Sequence, residues 1–171
     1  MTWQGSGHNS SALQAASHHG SKDIVCLLLD NSAEVNMQGG AFGSVLQAAS
    51  NSGHKGIVHL LLDNRAKVKM EGGEHGSALQ AASYLGCESI VHFLLDNGAE
   101  VNFQGGEYDS ALQVASSHGH ENIVPILLEK GADTYIQDAL QAALSKGHRK
   151  VVAILKAHCS TIEERTVVDH T

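Results

Sequence analysis

Residues 77–86 read SALQAASYLG, and the fold turns on this stretch because it recurs. Its core appears as ALQAAS at 12–17, VLQAAS at 45–50, ALQAAS at 78–83, ALQVAS at 111–116 and ALQAAL at 139–144. The leucines fall at 13, 46, 79, 112 and 140, a period of 33 residues three times and then 28. Glycines at 20, 53, 86, 119 and 147 keep the same spacing, and two markers moving in phase identify an internal repeat. The five residues missing before the last copy come from a QGGxxG segment. Deletion there falls in a connecting loop and spares the flanking patterns.

Local rules agree within each unit. Ser11, Ser44, Ser77, Ser110 and Asp138 precede A-L-Q or V-L-Q, placing an N-cap oxygen before a helix with Gln at its third position, a capping-box pattern. This first helix is short, with small pairs such as Ala15/Ala16 and Ala81/Ala82, and ends at the marker glycine. A second helix follows as DIVCLLLDN, GIVHLLLDN, SIVHFLLDN, NIVPILLEK and KVVAILKAH, whose apolar residues form a broad stripe. Extended AEVNMQGG or AEVNFQGG segments come next, with paired glycines suited to a tight turn.

The composition is consistent with a thin stacked array. The chain has 171 residues and 42% hydrophobic content, enough for a core, but only 4% aromatics, so the core must be aliphatic and small-faced. The formal charge of −7 disfavours nucleic acid as a partner. Apolar runs such as 24–29 fall far short of the roughly 20 residues of a membrane span. The opening MTWQGSGHNS has neither a basic nor an apolar signal region, and three cysteines fit a reducing compartment. The expected setting is cytoplasmic, with no membrane partner.

These motifs resemble the ankyrin repeat, whose helix-opening T-P-L-H appears here as S-A-L-Q or S-V-L-Q with the same period of about 33 residues. The LQAAS and QGG motifs are similar to those of fungal-type ankyrin arrays, which often follow a nucleotide-binding signalling domain. No GxxxxGK[ST] stretch occurs, so the resemblance implies an isolated receptor-like module or a free-standing array. The expected fold is an all-α-dominated solenoid of stacked helix-turn-helix repeats with short β-hairpin-like loops. Its expected organisation is an N-terminal segment 1–6, five units (7–38, 39–71, 72–104, 105–136 and 137–160) and a tail 161–171.

Departures from the pattern carry expectations of their own. Ser32, Arg65 and His158 stand where Gly98 and Gly131 stand in other units, and a non-glycine residue there would be strained. Pro125 lies near the first turn of its helix, where its ring threatens a kink. IVCLLL and VVAIL leave apolar ends that need a cover. Trp3 is the candidate at the front, with end-to-end dimerisation the alternative. At the back, STIE and TIEE resemble capping boxes opening a short helix.

The resemblance implies a concave face built from the first helices and hairpin tips. The two positions before each marker glycine supply the candidate groove: His18, His19, Asn51, Ser52, Tyr84, Leu85, Ser117, His118, Ser145 and Lys146. Phe42, Glu74, His75, Glu107, Tyr108 and Asp109 supply the tips. Tyr84 and Tyr108 are the expected anchors, since rigid rings lose little entropy on binding. Segment 74–106 holds four acids and no Lys or Arg, and 107–136 holds five acids and one Lys. A partner with a basic segment would be steered to units three and four, unless these acids form a solvated convex face.

Twelve histidines invite a chemical reading. His54, His120 and His148 follow the marker glycine and resemble the family's structural Gly-His pair. His59 and His92 occupy equivalent positions on adjacent units and read as exposed surface. Neither GxSxG nor HExxH occurs, and no nucleophile with an oriented base can be named. Cys26, Cys87 and Cys159 lie too far apart in the repeat scheme for a disulfide. The reading is therefore a non-catalytic protein interaction module, with no cofactor and no metal, monomeric or a weak end-to-end dimer. The alternative is a small-molecule or acid/base (cyclase-like) site in the His-rich groove, which would require an enclosed cavity containing His18, Tyr84 or His118.

Overall fold

The computed structural model describes residues 11–107 and 110–168, with side chains as far as Thr161. Five helix pairs follow one another: α1 (Ala12–His18) and α2 (Lys22–Asp30); α3 (Val45–Asn51) and α4 (Lys55–Asp63); α5 (Ala78–Leu85) and α6 (Glu88–Asp96); α7 (Ala111–Ser117) and α8 (Ile123–Glu129); α9 (Ile136–Lys146) and α10 (Arg149–Val168). Each pair is one repeat. First helices pack on first helices in chain order and second helices on second helices, so the molecule is a helical solenoid. β1 (Gln38–Gly39) and β2 (Gly43–Ser44) form an antiparallel hairpin with Gln38 opposite Ser44, ahead of α3.

The serine caps form as the sequence dictates. Ser11, Ser44, Ser77 and Ser110 have extended backbones, and their Oγ atoms accept from the N–H groups of Gln14, Gln47, Gln80 and Gln113 at 3.1–3.2 Å. The other half of the expected capping box is replaced. Gln14 Nε2 donates to the Gly39 carbonyl at 3.0 Å, Gln47 Nε2 to those of Gly72 and Gly76 at 2.7 and 3.0 Å, and Gln80 Nε2 to that of Gly105 at 2.7 Å. These glutamines are buried and tie each first helix to the hairpin that enters the next repeat. An internal donor for a hairpin carbonyl is worth more there than a second bond at a cap.

The last repeat departs from expectation in three places. Asp138 is not an N-cap: α9 begins earlier, at Ile136 after Tyr135, and Asp138 lies in its first turn, facing the positive end of the helix dipole. Loss of the hairpin lets the buried Ile136 join the helix. His158 takes no left-handed backbone, because α10 runs through it to Val168. The segment expected to open a short capping helix instead continues α10, and Ser160 and Thr161 donate their hydroxyls back to the Lys156 and Ala157 carbonyls in the same helix.

Ser32 and Arg65 do adopt positive φ, 62° and 65°, as their positions required. Pro125 sits in the first turn of α8. It has no N–H to give the Glu121 carbonyl, and α8 starts at Ile123, whereas α6 starts at Glu88, the position equivalent to Glu121.

The core is a continuous aliphatic seam. Leu13, Leu46, Leu79 and Leu112 from first helices meet Val25, Val58, Leu61, Val91, Leu94, Val124, Leu127 and Leu155 from second helices, with alanines keeping the helices close. Among the described residues the seam is open at the front: Ile24 is 52% exposed where its equivalents Ile57, Ile90 and Ile123 are 1–2% exposed, and Leu27 is 62% exposed. Trp3, the expected cover, lies outside the described residues. At the back, Pro125, Leu128, Ile154 and Ala157 line an open groove of about 370 Å³ between α8 and α10.

Candidate functional site

The first helices stop one or two residues before the marker glycines, so the residues preceding each glycine sit at helix ends along one edge of the array. The hairpin tips run beside them. The Glu74 N–H donates to the Ala41 carbonyl at 2.7 Å and the Glu107 N–H to the Glu74 carbonyl at 2.9 Å, which places Phe42, Glu74, His75 and Glu107 in a row. Tyr108 and Asp109, the remaining expected tip residues, lie outside the described residues.

Two ring clusters result. In the first, His18 packs on His19 at 5.1 Å and on Phe42 at 4.5 Å between centroids, and its Nδ1 meets Ser52 Oγ at 2.6 Å. In the second, Tyr84 lies between His75 at 4.7 Å and His118 at 4.6 Å, and His118 faces His120 at 6.0 Å. His118 Nδ1 lies 2.9 Å from the Val114 carbonyl, which can only accept, so this nitrogen carries the proton. Tyr84 and Leu85 remain 36% and 42% exposed, amphipathic surface at the middle of the face. Asn51 and Ser117 are half-buried, with Ser117 Oγ donating to the Val114 carbonyl. Ser145 and Lys146 are exposed at the far end and join neither cluster.

Structural histidines anchor this edge. His54 Nε2 donates to the His18 carbonyl at 2.9 Å, His120 Nε2 to that of Tyr84 at 2.9 Å and His148 Nε2 to that of Ser117 at 3.0 Å. Each imidazole lies over a marker glycine of the preceding repeat, so closely that a Cβ added at Gly20, Gly86 or Gly119 would come within 2.5–2.7 Å of the ring. The Gly-His pairs therefore stitch neighbouring repeats and hold the backbone that presents His18, Tyr84 and Ser117. His120 serves the second ring cluster as well, a role that its structural reading had hidden.

His59 corrects another expectation. It is half-buried rather than exposed, stacked on Phe93 of the next repeat at 3.6 Å. An aromatic one position along from His92 was the available signal.

The acids divide by location. Glu74 and Glu107 are exposed at the tips beside the second cluster. Asp96 pairs with Lys130 and Glu121 with Lys150, both at 3.1 Å, between adjacent repeats and away from the tips. Only part of the sequence-level excess is therefore available to the groove. His75 is held below the ordinary histidine range, first because burial penalises its charged form and then because His118 opposes it, against the pull of Glu74 and Glu107. Its Nδ1 is buried without a hydrogen-bond partner, consistent with a neutral ring.

Cys26, Cys87 and Cys159 are free thiols, and burial pushes Cys87 up. Among the described residues no group of His, Cys, Asp and Glu has a metal-ligand arrangement, and no helix is long and apolar enough to cross a membrane. Neither the groove between α8 and α10 nor the narrow crevice between the loops after α4 and α6 is lined by His18, Tyr84 or His118.

A family model describing ankyrin repeats in three copies matches residues 13–105 and 79–166. The chain belongs to the ankyrin repeat family. Its S-A-L-Q openings, Gly-His stitches and hairpins are this chain's version of the ankyrin unit. No curated protein gives a match to it. Ankyrin repeats are generally protein–protein interaction modules and are typically non-enzymatic.

Proposed function

We propose that the chain binds a protein segment along the face made by the first-helix ends and hairpin tips, without catalysis of its own. The observation that supports this reading is the second ring cluster. Tyr84, half-open between His75 and His118, sits beside two exposed carboxylates, Glu74 and Glu107. A rigid ring with acids alongside favours a basic side chain whose stem lies on the ring while its charge meets the carboxylates. His18, His19, Phe42, Asn51, Ser52 and Leu85 extend the same face towards the front, and Ser117, Ser145 and Lys146 towards the back. The partner is a protein with a Lys- or Arg-containing segment over repeats three and four, and the setting is intracellular.

An array of short peptides graded in Lys/Arg content, probed with the purified chain, tests this. Basic peptides are retained, retention falls with salt, and Tyr84→Ala/His118→Ala weakens it by at least tenfold, the scale of one anchor residue. Equal retention by wild type and double variant would remove the groove assignment.

A further inference from the structure

The junctions between repeats are not equivalent. Between repeats one and two, His54 donates to the His18 carbonyl, Asn36 Nδ2 donates to the Arg65 carbonyl at 3.1 Å, the Lys67 N–H donates to Asn36 Oδ1 at 2.8 Å, and Gln38 Nε2 reaches the Glu71 carbonyl at 3.1 Å. Between repeats three and four, His120 donates to the Tyr84 carbonyl, Asn102 Nδ2 donates to the Gly131 carbonyl at 2.8 Å, and Lys130 pairs with Asp96. Between repeats four and five, His148 bonds the Ser117 carbonyl and Lys150 pairs with Glu121.

The junction of repeats two and three breaks every one of these patterns through its own sequence. Cys87 stands where the other repeats have the bridging histidine. Its sulfur packs over Gly53, and Leu85 closes the rest of the space that an imidazole fills elsewhere, so apolar contact replaces a hydrogen bond. Lys69 stands where Asn36 and Asn102 stand, and it has no amide to give their bond to the carbonyl of the next loop. Glu71 stands where Gln38 stands, and a carboxylate has no N–H to donate to a carbonyl. What remains at this junction lies along the hairpin edge and in the core: the two bonds of Gln47, the Glu74-to-Ala41 backbone bond, the aliphatic seam and the His59–Phe93 stack.

In a stacked array each repeat contacts only its neighbours, so an interface that lacks the directional histidine and loop bonds of the others is where cooperativity divides. The front half is also the softer half, because Ser32 and Arg65 hold strained backbone and Ile24 and Leu27 are uncovered. We propose that the junction of repeats two and three is a built-in boundary, at which repeats one and two open as a unit while repeats three to five stay folded. The two ring clusters lie on opposite sides of it: His18, His19 and Phe42 on the moving part and His75, Tyr84, His118 and His120 on the stable part. Opening changes the spacing between them, so this junction adjusts the face to what occupies it.

Native-state hydrogen exchange on the full chain, read by mass spectrometry, tests the boundary. In the wild type the amides of α1–α4 share one lower protection level and those of α5–α8 a higher one, with the step between α4 and α5. Cys87→His with Lys69→Asn, which copies the residues of the other junctions, slows exchange of α1–α4 by about tenfold, as expected for restoring one or two directional bonds. A second pair, His120→Cys with Asn102→Lys, unpicks the next junction and adds a second step between α6 and α7. Uniform protection from α1 to α8 in the wild type, a step that Cys87→His with Lys69→Asn leaves unchanged, or no new step between α6 and α7 in the second variant, would overturn the proposal.

Discussion

Gly86 and Gly98 offer a comparison within one repeat that isolates what the histidine stitch contributes. Both adopt left-handed backbone, with φ of 83° and 84°. Alanine is strained at either site by about 1–2 kcal/mol, less several tenths for the reduced freedom of its unfolded chain, a net cost of about 1 kcal/mol. At Gly98 nothing lies within 4 Å of the new methyl group, so that is the whole expected effect. At Gly86 the methyl would stand 2.7 Å from His120 Cε1 and 2.8 Å from its Nδ1. The ring must move, and its bond to the Tyr84 carbonyl goes with it, adding about 1 kcal/mol for the bond and a similar amount for lost packing. Gly86→Ala is therefore expected to cost about 2–3 kcal/mol and Gly98→Ala about 1. Urea unfolding followed by far-UV circular dichroism measures both. In a His120→Ala background the Gly86→Ala cost should fall to that of Gly98→Ala, since there is no ring left to displace. Equal costs at the two sites, or a Gly86→Ala cost indifferent to His120, would refute the stitch.

Three further outcomes are expected. Ser32→Gly and Arg65→Gly each relieve a positive φ and should stabilise the chain by about 0.5–1 kcal/mol, read as a higher urea midpoint with an unchanged slope. Leu79→Ala, at a fully buried site, should cost about 2–5 kcal/mol, whereas Leu27→Ala, on the uncovered front, should stay within about 0.5 kcal/mol in the same unfolding experiment. The neutral ring of His75 should titrate by NMR below the ordinary value of about 6.5. Below that pH the unfolded chain binds a proton that the folded chain resists, so the stability His75 contributes is complete above about pH 6.5 and erodes as pH falls. His75→Gln should flatten that part of the pH–stability curve.

The serine caps and the stripe of each second helix were legible because each is set within about ten residues of chain, and the repeat period and the positive φ at Ser32 and Arg65 because the copies can be laid over one another. A hydroxyl oxygen three residues before the N–H that donates to it, or an apolar residue every three or four, needs no knowledge of the neighbours. The candidate face was legible only as a set of positions. That His18 would meet Phe42 and Ser52, and Tyr84 would meet His75 and His118, depends on how far each repeat is displaced on the next.

The sequence by itself determined the helix-turn-helix unit, its number of copies and the edge on which variable residues fall. Tertiary structure alone decided where the glutamines send their amides, that Asp138 lies inside α9, and that α10 runs on through His158. Those outcomes are contacts between residues 25–36 apart in the chain, or helix ends settled by them. Stacking, which buries one repeat's apolar face on the next, fixes such contacts; local preference does not.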